Sequence, residues 1–90
     1  MILYVVKNQD GQYFRAKGYG GYGKTWVELE GAKFYTKIGP ARAQQTWFSK
    51  NFLEFGIPDI IPVAATEGSP LLEERDRVKK ILAKGFGSIR

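Results

Sequence analysis

A chain of 90 residues, 43% apolar and 26% charged, has the composition of an ordinary globular domain with one modest core, which disfavours disorder along its whole length. It contains neither cysteine nor histidine, so disulfides, thiolate or imidazole metal sites, cysteine nucleophiles and the usual near-neutral general base are excluded. The net charge of +5 sits mainly on the N-terminal half: residues 1–50 carry eight positive side chains against three negative. Such a field attracts polyanions, and it equally serves plain solubility.

Ile2 to Asn8 is rich in β-branched and aromatic residues and reads as a strand, and Gln12 to Lys17 reads as a second. The intervening Asn8-Gln9-Asp10-Gly11 supplies a turn with a positive-φ position, predicting an antiparallel hairpin. Alternation along the second strand places Tyr13, Arg15 and Lys17 on one face, opposite Phe14 and Ala16. Gly18 to Thr25 follows and fits the phosphate-loop pattern G-x-x-x-x-G-K-[ST]. That pattern works where a helix opens directly after it, its N-terminal amides holding the phosphates. Here Trp26-Val27-Glu28-Leu29 alternates instead, which predicts a third strand over about 25–29 and leaves a glycine- and tyrosine-rich connection with Tyr19, Tyr22 and Lys24 exposed. A ragged fourth strand is expected near Lys33 to Tyr35.

Gly39-Pro40 opens a predicted helix running to about Phe55 and stopping at Gly56, with Pro58 beyond. Ala41, Phe48, Phe52 and Phe55 form its apolar stripe, with Trp47 and Leu53 beside them, and the stripe is expected to cover one face of the sheet. Asp59 to Thr66 is strand-like, and Pro62 confines it to an edge where a partner strand could add. A second helix is expected with Ser69 as N-cap and Pro70 at the first helical position. Its charges follow the helix dipole, and Glu73 with Arg77 and Asp76 with Lys80 are spaced to pair. Leu71, Val78, Ile81 and Leu82 give it a narrow apolar seam, for which docking within the same chain is the default. Residues 85–90 read as a flexible tail. The expected architecture is α+β: one domain over 1–84, an antiparallel three- to four-stranded sheet packed by one aromatic-rich helix, with a second amphipathic C-terminal helix. No apolar run approaches the roughly 18 residues of a membrane span, and residues 1–6 lack the features of a secretory signal, so a cytoplasmic location without membrane contact is expected.

No catalytic constellation can be assembled. Ser49, Ser69 and Ser88 have no histidine to activate them, and the paired carboxylates Glu28/Glu30 and Glu73/Glu74 have ordinary structural uses. The expectation is a non-enzymatic binding protein needing no cofactor, whose candidate binding residues are Tyr13, Arg15, Lys17, Tyr19, Tyr22, Lys24 and Trp26. Aromatic rings interleaved with cations suit the stacking of bases and the neutralising of phosphates in single-stranded RNA or DNA.

The strand Ile2-Leu3-Tyr4-Val5-Val6-Lys7, the Asp10-Gly11 turn, Tyr13, an isolated Trp26, and Ala32-Lys33-Phe34-Tyr35 leading into an aromatic helix together resemble small accessory proteins encoded by bacteriophages, anti-CRISPR proteins among them. That resemblance implies binding to, and inhibition or modulation of, a host or antiviral-defence protein or nucleoprotein complex inside a bacterial cell. Because the chain is basic, mimicry of DNA is disfavoured. Single-stranded nucleic-acid binding is the alternative reading, and a nucleotide sponge using the Gly18–Thr25 loop is a third.

Overall fold

The computed structural model describes residues 2–15 and 25–88. Strands β1 (Leu3–Lys7), β2 (Tyr13–Phe14), β3 (Trp26–Val27) and β4 (Asp59–Val63) form an antiparallel sheet in the order β3-β2-β1-β4, with helices α1 (Ile38–Asn51) and α2 (Leu72–Ser88). The α+β architecture expected from the sequence is therefore present.

The first hairpin closes as its turn chemistry demands. Gly11 takes φ +83, the Asn8 amide donates to the Gln12 carbonyl at 2.8 Å, and the Asn8 side-chain oxygen accepts from the amides of Asp10 and Gln12 at 3.0 and 2.9 Å. The strands are shorter than expected, because β2 parts from β1 after one paired position, Lys7 opposite Tyr13. Residues 33–35 take up the vacated hydrogen bonds: the Lys33 amide donates to Phe14, while Tyr4 and Tyr35 exchange bonds of 2.8 Å in each direction. The ragged strand near Lys33 to Tyr35 is thus a single bridge. After β3 the chain turns through a 3-10 segment, Leu29–Gly31, instead of extending to Leu29.

Residues directly opposite each other in a ladder share a face, so Phe14 and Trp26 lie on one side with Val6 and Ile60, and Tyr13 and Val27 lie on the other with Val5 and Ile61. The first side packs with Tyr35 against Ala41 and Phe48 of α1. On the second, Val5, Tyr13, Ile61 and Val63 are covered by Leu29 and Ala32 of the 3-10 turn. Both faces are therefore dry, which is why consecutive residues, Val5 with Val6 and Ile60 with Ile61, are all 0–1% exposed. Each such side chain contributes about 1.5–3 kcal/mol by leaving water.

β4 lies at the edge, as Pro62 requires. Tyr4 spends its backbone groups on Tyr35, so Pro62 opposite it faces outward and its missing N–H costs no ladder bond. That outer edge is nevertheless not open to a partner strand. The Gly68 amide donates to Pro62, the Leu71 amide to Ile60, and Glu67 bridges to Val63, so residues 67–71 already occupy it. The same bonds correct the start of α2. With its amide tied to Ile60, Leu71 is the residue whose carbonyl accepts from Arg75, and the helix begins at Leu72 rather than at Ser69-Pro70. Its backbone stays helical through Ser88, past the expected boundary at Lys84; residues 89 and 90 of the expected tail lie outside the described residues.

α1 starts at Ile38, so Pro40 is its third residue, still within the first turn, where amides have no intrahelical partner. The helix closes at Asn51 and not at Phe55. Asn51 donates its side-chain amide to the Trp47 carbonyl at 2.8 Å, a local bond that competes with helix continuation, and Phe52 leaves helical geometry at φ −134, ψ 52. A 3-10 turn, Leu53–Phe55, follows, and Gly56 reverses the chain at φ +83 with the Gln9 side chain 3.4 Å from where a Cβ would lie. Gly56→Ala is expected to lower stability by about 1–2 kcal/mol, read from the midpoint of urea unfolding.

The helices are locked by a polar cluster. Glu74, 5% exposed, accepts two bonds of 2.7 Å from Arg42 and one of 3.1 Å from Arg77. Arg77 thus pairs with Glu74, which faces α1, rather than with Glu73. Buried Gln45 donates to the Pro58 carbonyl at 2.9 Å and accepts from Arg77 at 3.2 Å. Val78 and Leu82 of the apolar seam are buried, so the seam docks within the chain.

Candidate functional site

The aromatic stripe of α1 divides in two. Its first part is core: Phe48 is 7% exposed, whereas Phe52 is 38% and Phe55 is 70% exposed. The rings form a continuous ladder, Trp26 to Phe48 at 4.8 Å, Phe48 to Phe52 at 5.7 Å and Phe52 to Phe55 at 6.3 Å between centroids. It leads from the core to the surface along α1 and its 3-10 extension.

These rings form one wall of a cleft of about 600 Å³, whose other lining includes Asn8, Gln9, Asp10 and Gln12 of the hairpin turn together with Thr25, Gly56 and Pro58. That volume lies within the range of ligand-binding clefts. The two walls are tied together by Gln9, whose side-chain amide donates to the Ile57 carbonyl at 2.7 Å. Asn8 has its side-chain oxygen committed to the turn. The Asp10 carboxylate enters none of the ion pairs among the described residues. Among those residues there is also no group of three or more acidic side chains able to hold a metal ion.

The chain matches no protein-family model, no curated protein and no solved structure.

Of the candidate residues read from the sequence, the structure describes Tyr13, Arg15 and Trp26; Lys17, Tyr19, Tyr22 and Lys24 lie outside the described residues. The three are not brought onto one surface. Tyr13 is 6% exposed; its hydroxyl donates to Glu67, and Lys7 holds the same carboxylate at 2.8 Å with its ammonium 5.2 Å from the Tyr13 ring centre. Hydrogen bonds from Lys7 and then Tyr13 hold the Glu67 carboxyl below its ordinary range, while burial, then the bond to Glu67, pushes the Tyr13 hydroxyl up. Tyr13 is therefore bound up in a neutralised cluster that closes the second sheet face. Trp26 is on the opposite face, half-buried against Phe14 and Phe48 and lining the cleft. Arg15 is exposed, with its amide donating to Thr25 at 2.9 Å beside the cleft. The residues that follow Thr25 form β3, so the helix that a phosphate loop opens is absent there.

Sequence reasoning assigned Phe52 and Phe55 to the core and passed over the hairpin turn as a binding wall. The available signal was positional. Phe55 falls immediately before Gly56-Ile57-Pro58, and Phe52 three residues earlier, where the chain must turn away and the last ring has little sheet left to cover.

Proposed function

We propose that the protein acts by stoichiometric binding, as an accessory or inhibitory protein of the phage type that docks on a protein component of a host or defence complex, with the aromatic cleft as its working face. The exposure of Phe52 and Phe55 at the end of a ring ladder anchored in the core carries this reading. Rigid aromatic groups beside a concavity are what partner anchors use, since their burial on binding returns hydrophobic free energy at small entropic cost. The described lining holds one carboxylate and no lysine or arginine, which favours a protein surface over a phosphate backbone. Nucleic acid remains the second reading on the strength of Arg15, exposed beside Thr25, with Lys17 and Lys24 near it in sequence.

The test places a photo-crosslinking phenylalanine analogue at position 55 and, separately, at exposed Lys80 on α2, in cells that produce the protein. A protein adduct from position 55 alone is expected. It should survive nuclease treatment and fall at least tenfold on Phe52→Ala, as befits an anchor residue. Adducts of RNA or DNA at position 55, or equal adducts from both positions, would overturn the reading.

A further inference from the structure

The cleft combines features that narrow the chemistry of its occupant. Trp26, Phe48, Phe52 and Phe55 form one wall, and the turn that makes the other includes Asp10, which is exposed and enters no ion pair among the described residues. Of the neighbouring side-chain amides, the Asn8 oxygen is committed to the turn and the Gln9 nitrogen to Ile57. A neutral apolar anchor would cover the rings and strip water from Asp10 without returning a hydrogen bond, which is costly for a carboxylate. A nucleotide would bring a phosphate towards the same negative charge. A planar cation satisfies both walls, lying against the aromatic faces while donating to the carboxylate.

Building on the protein-binding reading above, we propose that the cleft is an arginine receptor: a partner protein inserts an arginine side chain between the ring ladder and Asp10. Arginine is favoured over lysine because its flat, weakly hydrated guanidinium stacks on rings and presents a fork of donors to a carboxylate, whereas an ammonium is a strongly hydrated point charge. The apolar stem of the side chain would cover Phe55, the most exposed ring.

The experiment uses the full chain labelled with 5-fluorotryptophan, so that Trp26 and Trp47 report separately by fluorine NMR. The probes are glycine- and serine-flanked peptides carrying one central arginine, citrulline or lysine, and an oligothymidine. The arginine peptide should shift the Trp26 resonance saturably, the lysine peptide should bind more weakly, and the citrulline peptide, isosteric but uncharged, should bind at least about tenfold more weakly. Asp10→Asn should weaken arginine binding by a similar factor. This variant keeps the turn, since Asn-Gly suits it as well as Asp-Gly, and an unchanged unfolding midpoint checks that. Equal binding of arginine and citrulline peptides, indifference to Asp10→Asn, no saturable shift from the arginine peptide, or a Trp26 shift from oligothymidine alone would each overturn the proposal. If Phe52→Ala still abolishes the position-55 protein adduct while Asp10→Asn leaves it intact, the cleft binds a protein by another anchor; if neither change matters, the cleft is not the working face.

Discussion

Phe48→Ala is expected to destabilise the protein by about 3–5 kcal/mol, and Phe55→Ala, seven positions on in the same stripe, by no more than about 0.5 kcal/mol. The chemistry deleted is the same in both. Phe48 lies 5.4 Å from Phe14, 4.8 Å from Trp26 and 5.1 Å from Trp47 between ring centres, so its removal leaves a cavity where the sheet meets α1. Phe55 touches the ladder only through Phe52 and gives up surface already in water. Against a total stability of roughly 5–15 kcal/mol for a domain, the first loss leaves a marginal or unfolded chain and the second is barely measurable. Urea unfolding monitored by tryptophan fluorescence, with the slope constant across variants, reads both. Equal losses would mean that the cleft is closed in solution and that Phe55 is core.

Glu74→Ala is the second large effect, expected at about 2 kcal/mol, or roughly 10 °C in Tm. Removing one partner of a buried ion pair generally costs about 3–5 kcal/mol. The figure is smaller here because the orphaned arginines, 43% and 31% exposed, can recover part of their hydration. The pH dependence follows from the same contacts. The hydrogen bonds from Arg42, assisted by Arg77 and opposed by burial, hold the Glu74 carboxyl below its ordinary value of 4.5. A carboxylate with a depressed folded-state pKa contributes stability that is present above its unfolded pKa and is lost as pH falls through the folded one. The wild type should therefore lose stability on acidification below about pH 4.5, and Glu74→Ala should lose less over that window, retaining only the slope from groups such as Glu67, whose carboxyl is depressed in the same direction. An acid limb as steep in the variant as in the wild type would show that Glu74 is not the group responsible.

The elements whose formation is local were legible in the sequence. Asp10-Gly11 announces its hairpin because only a positive φ closes it, Pro62 announces an edge because it has no donor, and Gly56 marks the chain reversal after the aromatic stripe. What escaped was decided by contacts between distant segments. Nothing in Leu29 to Ala32 says that a 3-10 turn will fold back over Val5 and Ile61. Likewise, Gly68 and Leu71 carry no sign that their amides will close the β4 edge and delay the start of α2. Tyr13 and Trp26 looked like one surface because each is an aromatic residue in a short strand. Their faces depend on the register between β2 and β3, Tyr13 against Val27 and Phe14 against Trp26, which alternation within either strand does not set. The cleft was hidden for a related reason: spacing identifies an apolar stripe but not where its cover ends.

The place of β1 in the sheet also dictates when the chain can fold. Its long ladder is with β4, Leu3 against Val63 through Lys7 against Asp59, and the Lys7–Glu67 bond joins positions 60 apart in sequence. During synthesis the first strand leaves the ribosome with only the one-position hairpin pairing and, later, the Tyr4–Tyr35 bridge available to it before β4 is made, and an isolated hairpin is at best marginally stable in water. The long ladder that completes the burial of its apolar run must wait until residues 59–71 have emerged. At ordinary elongation rates of about 5–20 residues per second, that is an interval of several seconds in which Ile2 to Val6 is open to chaperones and to other chains.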